Sequence, residues 1–288
     1  MSGQVRALSG RDGDCESRAV GPAAGMTHPA PSSAVSPSSG HPATQGQLRR
    51  EAIETARSIA VALLVALFIQ TALFQPFTIP SSSMEPGLVT GDYIIVSKCA
   101  YGWSRASVAF DPPLFRGRIF GGRPARGDVV VFRLPRDPQQ TWIKRVIGLP
   151  GDRVQVLAGR LFVNGRAVAR ADLGVAPDHD SPWRPVARVR ETQPGGRSYL
   201  TYGGAPGHEG DDTGVYAVPA DHYFVMGDNR DNSYDSRWPR EVGVGLLPVE
   251  NIVGKAEVVV ASWRPGSALY KPWTWLDLQP GRLFKPVR

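Results

Sequence analysis

The sequence predicts a mainly β protein with antiparallel strands, preceded by one membrane-spanning helix. Three observations support this fold class. The 288 residues include 32 glycines and 26 prolines, a composition that favours short strands and turns over long helices. Several short runs of β-branched and aromatic residues are separated by turn residues. A single long apolar segment precedes them.

The strand-like runs begin after residue 77 and are mostly four to five residues long. They occupy residues 93–96, 128–132, 153–157, 161–163, 166–168, 223–226 and 257–260. Asn164-Gly165 joins two of the runs and predicts a β-hairpin, because this dipeptide accepts the positive φ angles of a type I′ turn. The stretch from about 170 to 216 has few apolar positions, so we expect an insertion with long loops.

The apolar segment from Ser58 to Phe77 contains no charged residue and has about the length needed to cross a ~30 Å hydrocarbon layer. Arg49, Arg50 and Arg57 precede it, and the next basic residue is Lys98. The positive-inside rule therefore predicts a cytoplasmic N-terminus and a domain on the outer, periplasmic or extracytoplasmic, face of the plasma membrane. The alternative interpretation is a buried core helix.

These features suggest a division of the chain. Residues 1–47, rich in Ser, Pro, Gly and Ala, are predicted to be a disordered cytoplasmic tail. Residues 48–77 form the anchor helix, 78–152 together with 220–265 the β core, and 153–219 the inserted β/loop subdomain. The aromatic and basic tail 266–288, with Tyr270, Trp273, Trp275 and Phe284, could lie at the membrane interface or complete the β core.

Composition excludes several classes of protein. The formal net charge is +7, but the arginines are scattered, which suits contact with membrane lipid better than nucleic-acid binding. Cys15 and Cys99 are the only cysteines, so a disulfide framework and a four-cysteine zinc site are excluded. We expect neither a metal nor another cofactor.

Three hydroxyls, Ser81 to Ser83, lie between Pro80 and Pro86, whose rings restrict the backbone. A serine-rich turn is usually structural, and a serine nucleophile needs an adjacent base. Lys144 could be that base, because it lies in an apolar strand and burial lowers the pKa of an amine. Arg145 would lower it further only if it faced the same side, whereas neighbouring strand residues usually face opposite sides. Taken alone, Lys144 also fits the solvent face of an edge strand.

The segment 227–237 is almost entirely polar or charged. It does not fit a calcium-binding EF-hand, because Ser236 and Val242 occupy the positions that require Gly and Glu. The spacing of Asp235 and Arg237 suits a buried ion pair, and Ser233 offers a hydroxyl that could orient a base.

The motifs together resemble one family, the bacterial type I signal peptidases, which are membrane-bound Ser/Lys proteases. The resemblance covers roughly residues 49–265. It rests on I-P-S-S-S-M, R-G-D-V-V-V-F, I-K-R-V-I-G-L-P-G-D and G-D-N-R-D-N-S-Y-D-S-R, which occur here in the family's order. The β core would then be an antiparallel catalytic domain of the signal-peptidase type.

The resemblance implies a role for each matching residue. Ser83 would be the nucleophile, Lys144 the general base, and Ser81 a side-chain donor to the oxyanion hole. The supporting residues would be Ser233, which orients Lys144, the ion pair of Asp235 and Arg237, and Asp228, which holds the same turn. The shallow substrate pockets, which accept small residues one and three places before the cut, would be lined by Phe77, Ile79, Pro80, Met84 and Ile143.

The expected function is removal of signal peptides from exported precursor proteins, which would be the partners. A specialised peptidase that matures one pilus or conjugation protein fits the motifs almost as well. A third hypothesis is a non-catalytic membrane-anchored adaptor, although such a protein would be expected to have lost Ser83 or Lys144. A self-cleaving repressor would need a DNA-binding helical domain where this chain has its apolar segment.

Overall fold

The structure is a computed structural model that describes residues 45–69, 73–107, 117–179, 181–203, 207–264, 267, 271–274 and 276–288. Most of the predicted disordered tail, Tyr270 and Trp275 lie outside these residues. The chain divides into two compact units, residues 1–52 and 53–288, and all the strands belong to the second.

The helix α1 (Gln45–Phe68) has 24 residues, none of them buried. The predicted helical span over 48–77 is wrong at its C-terminal end, because residues 74–77 belong to a strand. That strand pairs with residues 93–97. Residues 74–77 therefore form hydrogen bonds within a sheet, although their apolar character had predicted a membrane helix. No helix in the described part of the chain meets the length and hydropathy expected of a membrane span.

Fifteen strands and four short 3-10 helices follow in the described residues. The strands are β1 (Phe74–Thr78), β2 (Asp92–Ser97), β3 (Val129–Leu134), β4 (Asp137–Gly148), β5 (Arg153–Leu157), β6 (Arg160–Val163), β7 (Arg166–Ala167), β8 (Ala169–Pro177), β9 (Pro185–Thr192), β10 (Ser198–Gly203), β11 (Tyr216–Ala217), β12 (His222–Met226), β13 (Leu247–Pro248), β14 (Ile252–Ser262) and β15 (Lys285–Pro286). The 3-10 helices are Ser82–Met84, Arg105–Ser107, Val249–Asn251 and Pro272–Thr274.

The main sheet has eight strands in the order β1-β2-β14-β3-β4-β12-β13, with β15 paired to β14. Its strands are antiparallel throughout, which confirms the mainly β, antiparallel prediction. Strand β4 is central to the arrangement: β3 pairs with it from Asp137 to Arg145, whereas β12 pairs with it only from Arg145 to Gly148. Residues 137–144 therefore have one backbone edge without a strand partner in the described structure.

Two smaller sheets lie between β4 and β12 in the sequence. One contains β11-β5-β6-β7 and the other β10-β9-β8. The predicted hairpin is present, with φ of 54° at Asn164 and 76° at Gly165. The expectation of long loops over about 170–216 is wrong for residues 169–203, which form the three-stranded sheet. Strand β8 is exposed at nearly every position, so no hydrophobic alternation marked it.

Three clusters of buried apolar residues form the core of the part of the second unit that the structure describes. The cluster that concerns the site, here called the first core cluster, joins the segment after β1 to the strands of the main sheet. Its buried members are Ile79, Met84, Leu88, Ile94, Val96, Ala106, Val129, Val131, Ile143, Val253, Ala256 and Val259, with Phe77 and Val287 packed against it.

The C-terminal tail contributes to this domain. Val287 contacts the first core cluster, and Arg282 Nε donates to Asp92 Oδ1 at 2.8 Å while a terminal nitrogen donates to Asp92 Oδ2. The same guanidinium donates to the Gly87 carbonyl at 3.1 Å. Trp273 and Phe284, in contrast, are largely exposed. The tail therefore completes the β core with polar and aliphatic contacts rather than with these two aromatic rings.

We expect Arg282→Ala to lower the free energy of unfolding by about 3–5 kcal/mol, because it leaves the fully buried Asp92 carboxylate without its cation. Urea titration of the full chain in detergent, followed by tryptophan fluorescence, measures this loss. Arg264→Ala is the matched control, since its pair with Asp277 is exposed and should contribute no more than about 1 kcal/mol. Equal losses in the two variants would contradict the assignment.

Candidate active site

Ser83 lies in the 3-10 helix that follows β1, on a segment fixed at both ends. The Ile79 N–H donates to the Asp92 carbonyl at 2.8 Å, and the Gly91 N–H donates back to the Ile79 carbonyl at 3.0 Å. Met84 is fully buried in the first core cluster, which anchors the helix from below. Ser81 is exposed and Ser83 is half-buried, so the serine segment lies at the surface on a buried support.

The structure brings Ser83 and Lys144 together across 61 positions of sequence. Lys144 Nζ donates a hydrogen bond to Ser83 Oγ at 2.7 Å. Lys144 lies in β4 opposite Val130 of β3 and only 4% of its surface is exposed. The nitrogen is also 5.5 Å from the centre of the Trp142 ring. Lys144 is therefore buried, although its sequence context alone also fitted a lysine on the solvent face of an edge strand.

Burial lowers the pKa of Lys144 to about 8, because the ammonium loses its hydration. The carboxylates of Asp235 and Asp228 oppose this effect and Arg237 adds to it. Arg145 has a different role from the one considered in the sequence analysis. It bonds to Asp228 through Nε at 2.7 Å and through a terminal nitrogen at 2.6 Å, and both side chains are buried.

The polar segment 227–237, here called the polar loop, contains the predicted ion pair. Arg237 Nε donates to Asp235 Oδ1 at 2.9 Å and a terminal nitrogen donates to Asp235 Oδ2 at 3.0 Å. Asp235 also accepts the Gly227 N–H at 3.0 Å. Asp235 and Arg237, two positions apart, thus form a buried bidentate ion pair, here called the buried clamp. It fixes the turn of the polar loop beside Lys144.

A third buried ion pair attaches the polar loop to the insertion. Arg230 donates two hydrogen bonds of 2.6 Å to the carboxylate of Glu191 in β9, and its Nε donates to the Gly227 carbonyl at 3.1 Å. The sequence analysis missed Glu191 and Arg230, and also the pair of Arg145 with Asp228. The partners are separated by 39 and 83 positions, and no local spacing could have identified them.

The polar loop also touches the serine segment directly. The Asn229 N–H donates to the Ser83 carbonyl at 3.2 Å, and its side-chain amide donates to the Ser82 carbonyl at 3.3 Å. Asn232 Nδ2 donates to Ser82 Oγ at 2.8 Å. These two asparagines were not singled out from the sequence, although the polar density of the loop was the signal that could have drawn attention to them.

Ser233 departs from the expectation that it hydrogen-bonds to Lys144. Its Oγ is buried and makes no hydrogen bond within the described residues. It lies against Gly227, where a Cβ atom would come within 2.3 Å of Ser233 Oγ and 2.5 Å of the Ser83 carbonyl oxygen. Gly227 is therefore a further residue that the sequence analysis missed, because only a residue without a side chain allows the polar loop to approach Ser83 this closely.

The residues predicted to line the substrate pockets lie around the first core cluster, with different exposures. Ile79 and Met84 are almost completely buried, so they pack beneath the surface of the predicted pockets. Pro80 is exposed, Phe77 is half-buried and Ile143 retains 9% of its surface. Phe77 packs against the first core cluster, of which Ile143 is a member, and Ile143 lies in the part of β4 that has the open backbone edge. Within the described residues, no group of His, Cys, Asp or Glu is arranged to hold a metal ion.

We expect the Lys144 amine to titrate near pH 8 rather than at the ordinary value of 10.5. NMR of ¹³Cε-labelled lysine can test this, with the Lys144 signal assigned by its loss in Lys144→Arg. Asp235→Asn should lower the midpoint further, because it removes a carboxylate that raises this pKa. Since the unfolded chain binds the proton more tightly, this group's contribution to stability should rise with pH between the two values. A wild-type midpoint near 10.5 would contradict the burial argument.

Comparisons with known proteins agree on one family. The model of the family described as "Signal peptidase, peptidase S26" matches residues 52–263. A signal peptidase I of Rickettsia canadensis (strain McKiel) is 40% identical over 211 residues, which cover 70% of this chain and 77% of the relative. The signal peptidase I of Rickettsia typhi (strain ATCC VR-144 / Wilmington) is 39% identical over 210 residues, with the same coverage.

Among solved structures, a signal peptidase I from Enterococcus faecalis V583 is 24% identical and aligns with 46% of this chain and 97% of its own, at a TM-score of 0.28. That score is too low to bear on the fold. The family match and the Rickettsia relatives confirm the resemblance seen in the motifs. The chain belongs to the signal peptidase family, peptidase S26.

Proposed function

We propose that this chain is a serine endopeptidase that removes signal peptides from exported precursor proteins, with Ser83 as nucleophile and Lys144 as general base. The 2.7 Å hydrogen bond between the two side chains carries the proposal. A nucleophile and its base need to lie within hydrogen-bonding distance, and the base must be able to lose its proton near the working pH. The lowered pKa of Lys144 meets the second requirement.

The reaction is acyl transfer. Neutral Lys144 takes the proton of Ser83 Oγ as this oxygen attacks the carbonyl carbon of the scissile bond, and the resulting ammonium then gives the proton to the leaving amine. The mature protein departs with a new N-terminus, and the signal peptide remains as an ester on Ser83. Lys144 next deprotonates a water molecule that attacks this ester, which releases the signal peptide and restores the serine.

The negative oxygen of the tetrahedral intermediate needs hydrogen-bond donors. The backbone N–H of Ser83 and the hydroxyl of Ser81 are the proposed donors. Ser81 has an extended backbone, with φ of −141° and ψ of 154°, and its side chain makes no capping bond to the 3-10 helix. Its hydroxyl therefore remains available to substrate at the exposed start of that helix.

Four further residues position the base. Asp235 and Arg237 form the buried clamp beside Lys144, in which the Asp235 carboxylate opposes the lowering of the Lys144 pKa by burial and the Arg237 guanidinium adds to it. We propose Ser233 as a second polar neighbour of Lys144, since its buried Oγ has an unused hydrogen-bonding capacity in the described structure. Asp228 holds the polar loop through Arg145.

The open edge of β4 suits recognition of an extended peptide, because main-chain groups of residues 137–144 can pair with an added strand. In such a strand, alternate side chains point to the same side. The side chains one and three places before the cut would then both face the shallow apolar surface of Phe77, Pro80 and Ile143. A shallow surface accepts small side chains, which is the specificity implied by the family resemblance.

We also propose that α1 attaches the chain to the plasma membrane, with the N-terminus in the cytoplasm and the catalytic domain outside. In the half of the helix from Ser58 to Phe68, which has no charged residue, large apolar side chains are exposed around the helix, including Ile59, Leu63, Leu64 and Phe68. A helix that is apolar all round is stable in lipid or in a protein core rather than in water. Anchoring would raise the effective concentration of membrane-inserted precursors at the active site.

Replacement of either member of the dyad should abolish cleavage. We expect Ser83→Ala and Lys144→Met to lower kcat/KM for a signal-bearing precursor by at least about 10⁴-fold. Ser81→Ala should lower kcat by roughly 10²–10³-fold, because one oxyanion donor is lost. The assay uses detergent-solubilised full chain, with folding checked by circular dichroism. Ser198→Ala and Lys255→Ala are matched controls that should retain activity. Undiminished cleavage by a folded Ser83→Ala variant would contradict the proposed mechanism.

Membrane attachment through α1 can be tested with charged substitutions. We expect Leu64→Arg with Leu67→Arg to move the chain from carbonate-washed membranes into the soluble fraction, since an arginine in an apolar membrane segment costs up to about 2.5–3.5 kcal/mol. Leu48→Arg, in the polar first turns of α1, is the control and should stay with the membranes. Retention of the double variant would contradict attachment through this helix.

A further inference from the structure

Asn229 of the polar loop binds the two peptide groups on either side of the Ser83 Cα atom. Its side-chain amide donates to the Ser82 carbonyl at 3.3 Å, which belongs to the peptide group before Ser83. Its backbone N–H donates to the Ser83 carbonyl at 3.2 Å, which belongs to the peptide group after it. Only 2% of Asn229 is exposed. A buried asparagine often only satisfies nearby backbone groups, so the direction of these bonds decides whether it has a role in catalysis.

The peptide group between Ser82 and Ser83 carries both the carbonyl that Asn229 binds and the N–H that we propose as an oxyanion donor. A trans peptide group is planar, so its C=O and N–H point in opposite directions. The Ser82 carbonyl points towards the polar loop and also accepts the Glu85 N–H at 3.1 Å. The Ser83 N–H therefore points away from Asn229, towards the start of the 3-10 helix, where N–H groups have no partner within the helix.

Rotation of this one peptide group would misdirect the Ser83 N–H. Two donors on the Ser82 carbonyl oppose the rotation, Glu85 from within the 3-10 helix and Asn229 from outside it. The internal bond alone is a weak restraint, because the hydrogen-bond geometry of a 3-10 turn is poor. A hydrogen bond to the carbonyl also polarises the peptide group, which strengthens the bond that its N–H can donate. Asn229 thus acts on the donor without touching the substrate.

The backbone of Asn229 is itself held on both sides. The side chains of its two neighbours, Asp228 and Arg230, each belong to a buried ion pair. Tyr202 of β10 donates its N–H to the Asp228 carbonyl at 2.9 Å and accepts the Arg230 N–H at 2.8 Å. A side chain on a backbone fixed in this way can hold the peptide group that it binds in one orientation.

We propose that Asn229 is a positioning residue for the oxyanion hole, whose side-chain amide fixes the Ser82–Ser83 peptide group so that the Ser83 N–H meets the developing negative charge. This inference rests on the proposed function. Because the effect acts on the transition state and not on substrate binding, its loss should lower kcat rather than raise KM. Loss of a whole oxyanion donor lowers kcat by roughly 10²–10³-fold, so a misdirected donor should lower it by less, about 10- to 50-fold.

The test compares Asn229→Ala and Asn229→Asp with the wild-type full chain in detergent. Asn229→Ala removes the side-chain donor. Asn229→Asp removes it without changing the size of the side chain, and it carries the test if the alanine variant does not fold. We take kcat from the alkaline plateau of its pH profile, where a changed Lys144 pKa has no effect. Plateau kcat should fall by about 10- to 50-fold in both variants, with KM changed by less than about twofold.

Asn251→Ala is the matched control. It removes a similar bond, from a side-chain amide to the Arg133 carbonyl at 3.0 Å, outside the polar loop and the serine segment. Its plateau kcat should equal that of the wild type. A loss as large as in Asn229→Ala would show that any such bond matters equally and would overturn the proposal.

A second readout is inhibition by a peptide aldehyde with alanine one and three places before the cut. It forms a hemiacetal with Ser83 Oγ that places its oxygen at the oxyanion position. Both Asn229 variants should bind it about tenfold more weakly than the wild type, whereas the matching peptide alcohol, which forms no such adduct, should bind all three equally. The Lys144 amine of Asn229→Ala should still titrate near pH 8, since this variant changes no charge.

A plateau kcat within about twofold of the wild type in the folded variants would overturn the proposal. Equal losses of affinity for the aldehyde and the alcohol would do the same, because substrate binding would then be the step affected. So would a Lys144 midpoint that returns towards 10.5 in Asn229→Ala, because the whole site would have opened. These outcomes leave the proposed dyad in place, whereas failure of the wild type to cleave any precursor removes the proposed function.

Discussion

The burial of one amine against one hydroxyl is the constraint on which the site depends. An ammonium buried at the position of Lys144 would need a paired carboxylate, and no carboxylate forms an ion pair with it among the described residues. Its nearest polar contact is Ser83 Oγ. A low-dielectric environment both lowers the pKa of the amine and strengthens the hydrogen bond that it makes. The two residues come from distant segments, so their alignment depends on the packing of Met84 and Ile143 in one apolar cluster.

The polar loop is held by buried charges rather than by apolar packing, and this has a physical reason. Its backbone is irregular, so several carbonyl groups cannot be satisfied by strand pairing. Two of the arginines donate to such carbonyls, Arg230 to Gly227 at 3.1 Å and Arg237 to Arg230. Arg145 donates instead to the Gly127 carbonyl, outside the loop, at 2.8 Å. Buried ion pairs contribute little net stability. Their bidentate geometry instead fixes one arrangement of the loop around the Ser83 carbonyl.

Sequence patterns correctly predicted the features that depend on interactions between residues close in sequence. The Asn164-Gly165 hairpin, the core strands and the spacing of Asp235 and Arg237 each depend on residues close in sequence, and each was predicted correctly. The end of α1 was not, because Phe74 to Phe77 join a sheet edge whose partner strand is distant in sequence. The β8-β9-β10 sheet was missed because β8 is exposed on both faces and carries no alternation. The steric role of Gly227 depends on three segments meeting at one point, which no single-sequence pattern reveals.

The insertion supports the active site structurally, although its sequence predicted only long loops. Tyr202 accepts the Arg230 N–H at 2.8 Å and donates to the Asp228 carbonyl, so β10 serves the polar loop as a neighbouring strand. Glu191 on the next strand holds the Arg230 guanidinium. Without these contacts the backbone on both sides of Asn229 would lose its partners, and Asn229 is the residue that contacts Ser83. The geometry of the nucleophile therefore depends on a sheet whose own strands contribute no group to the proposed dyad.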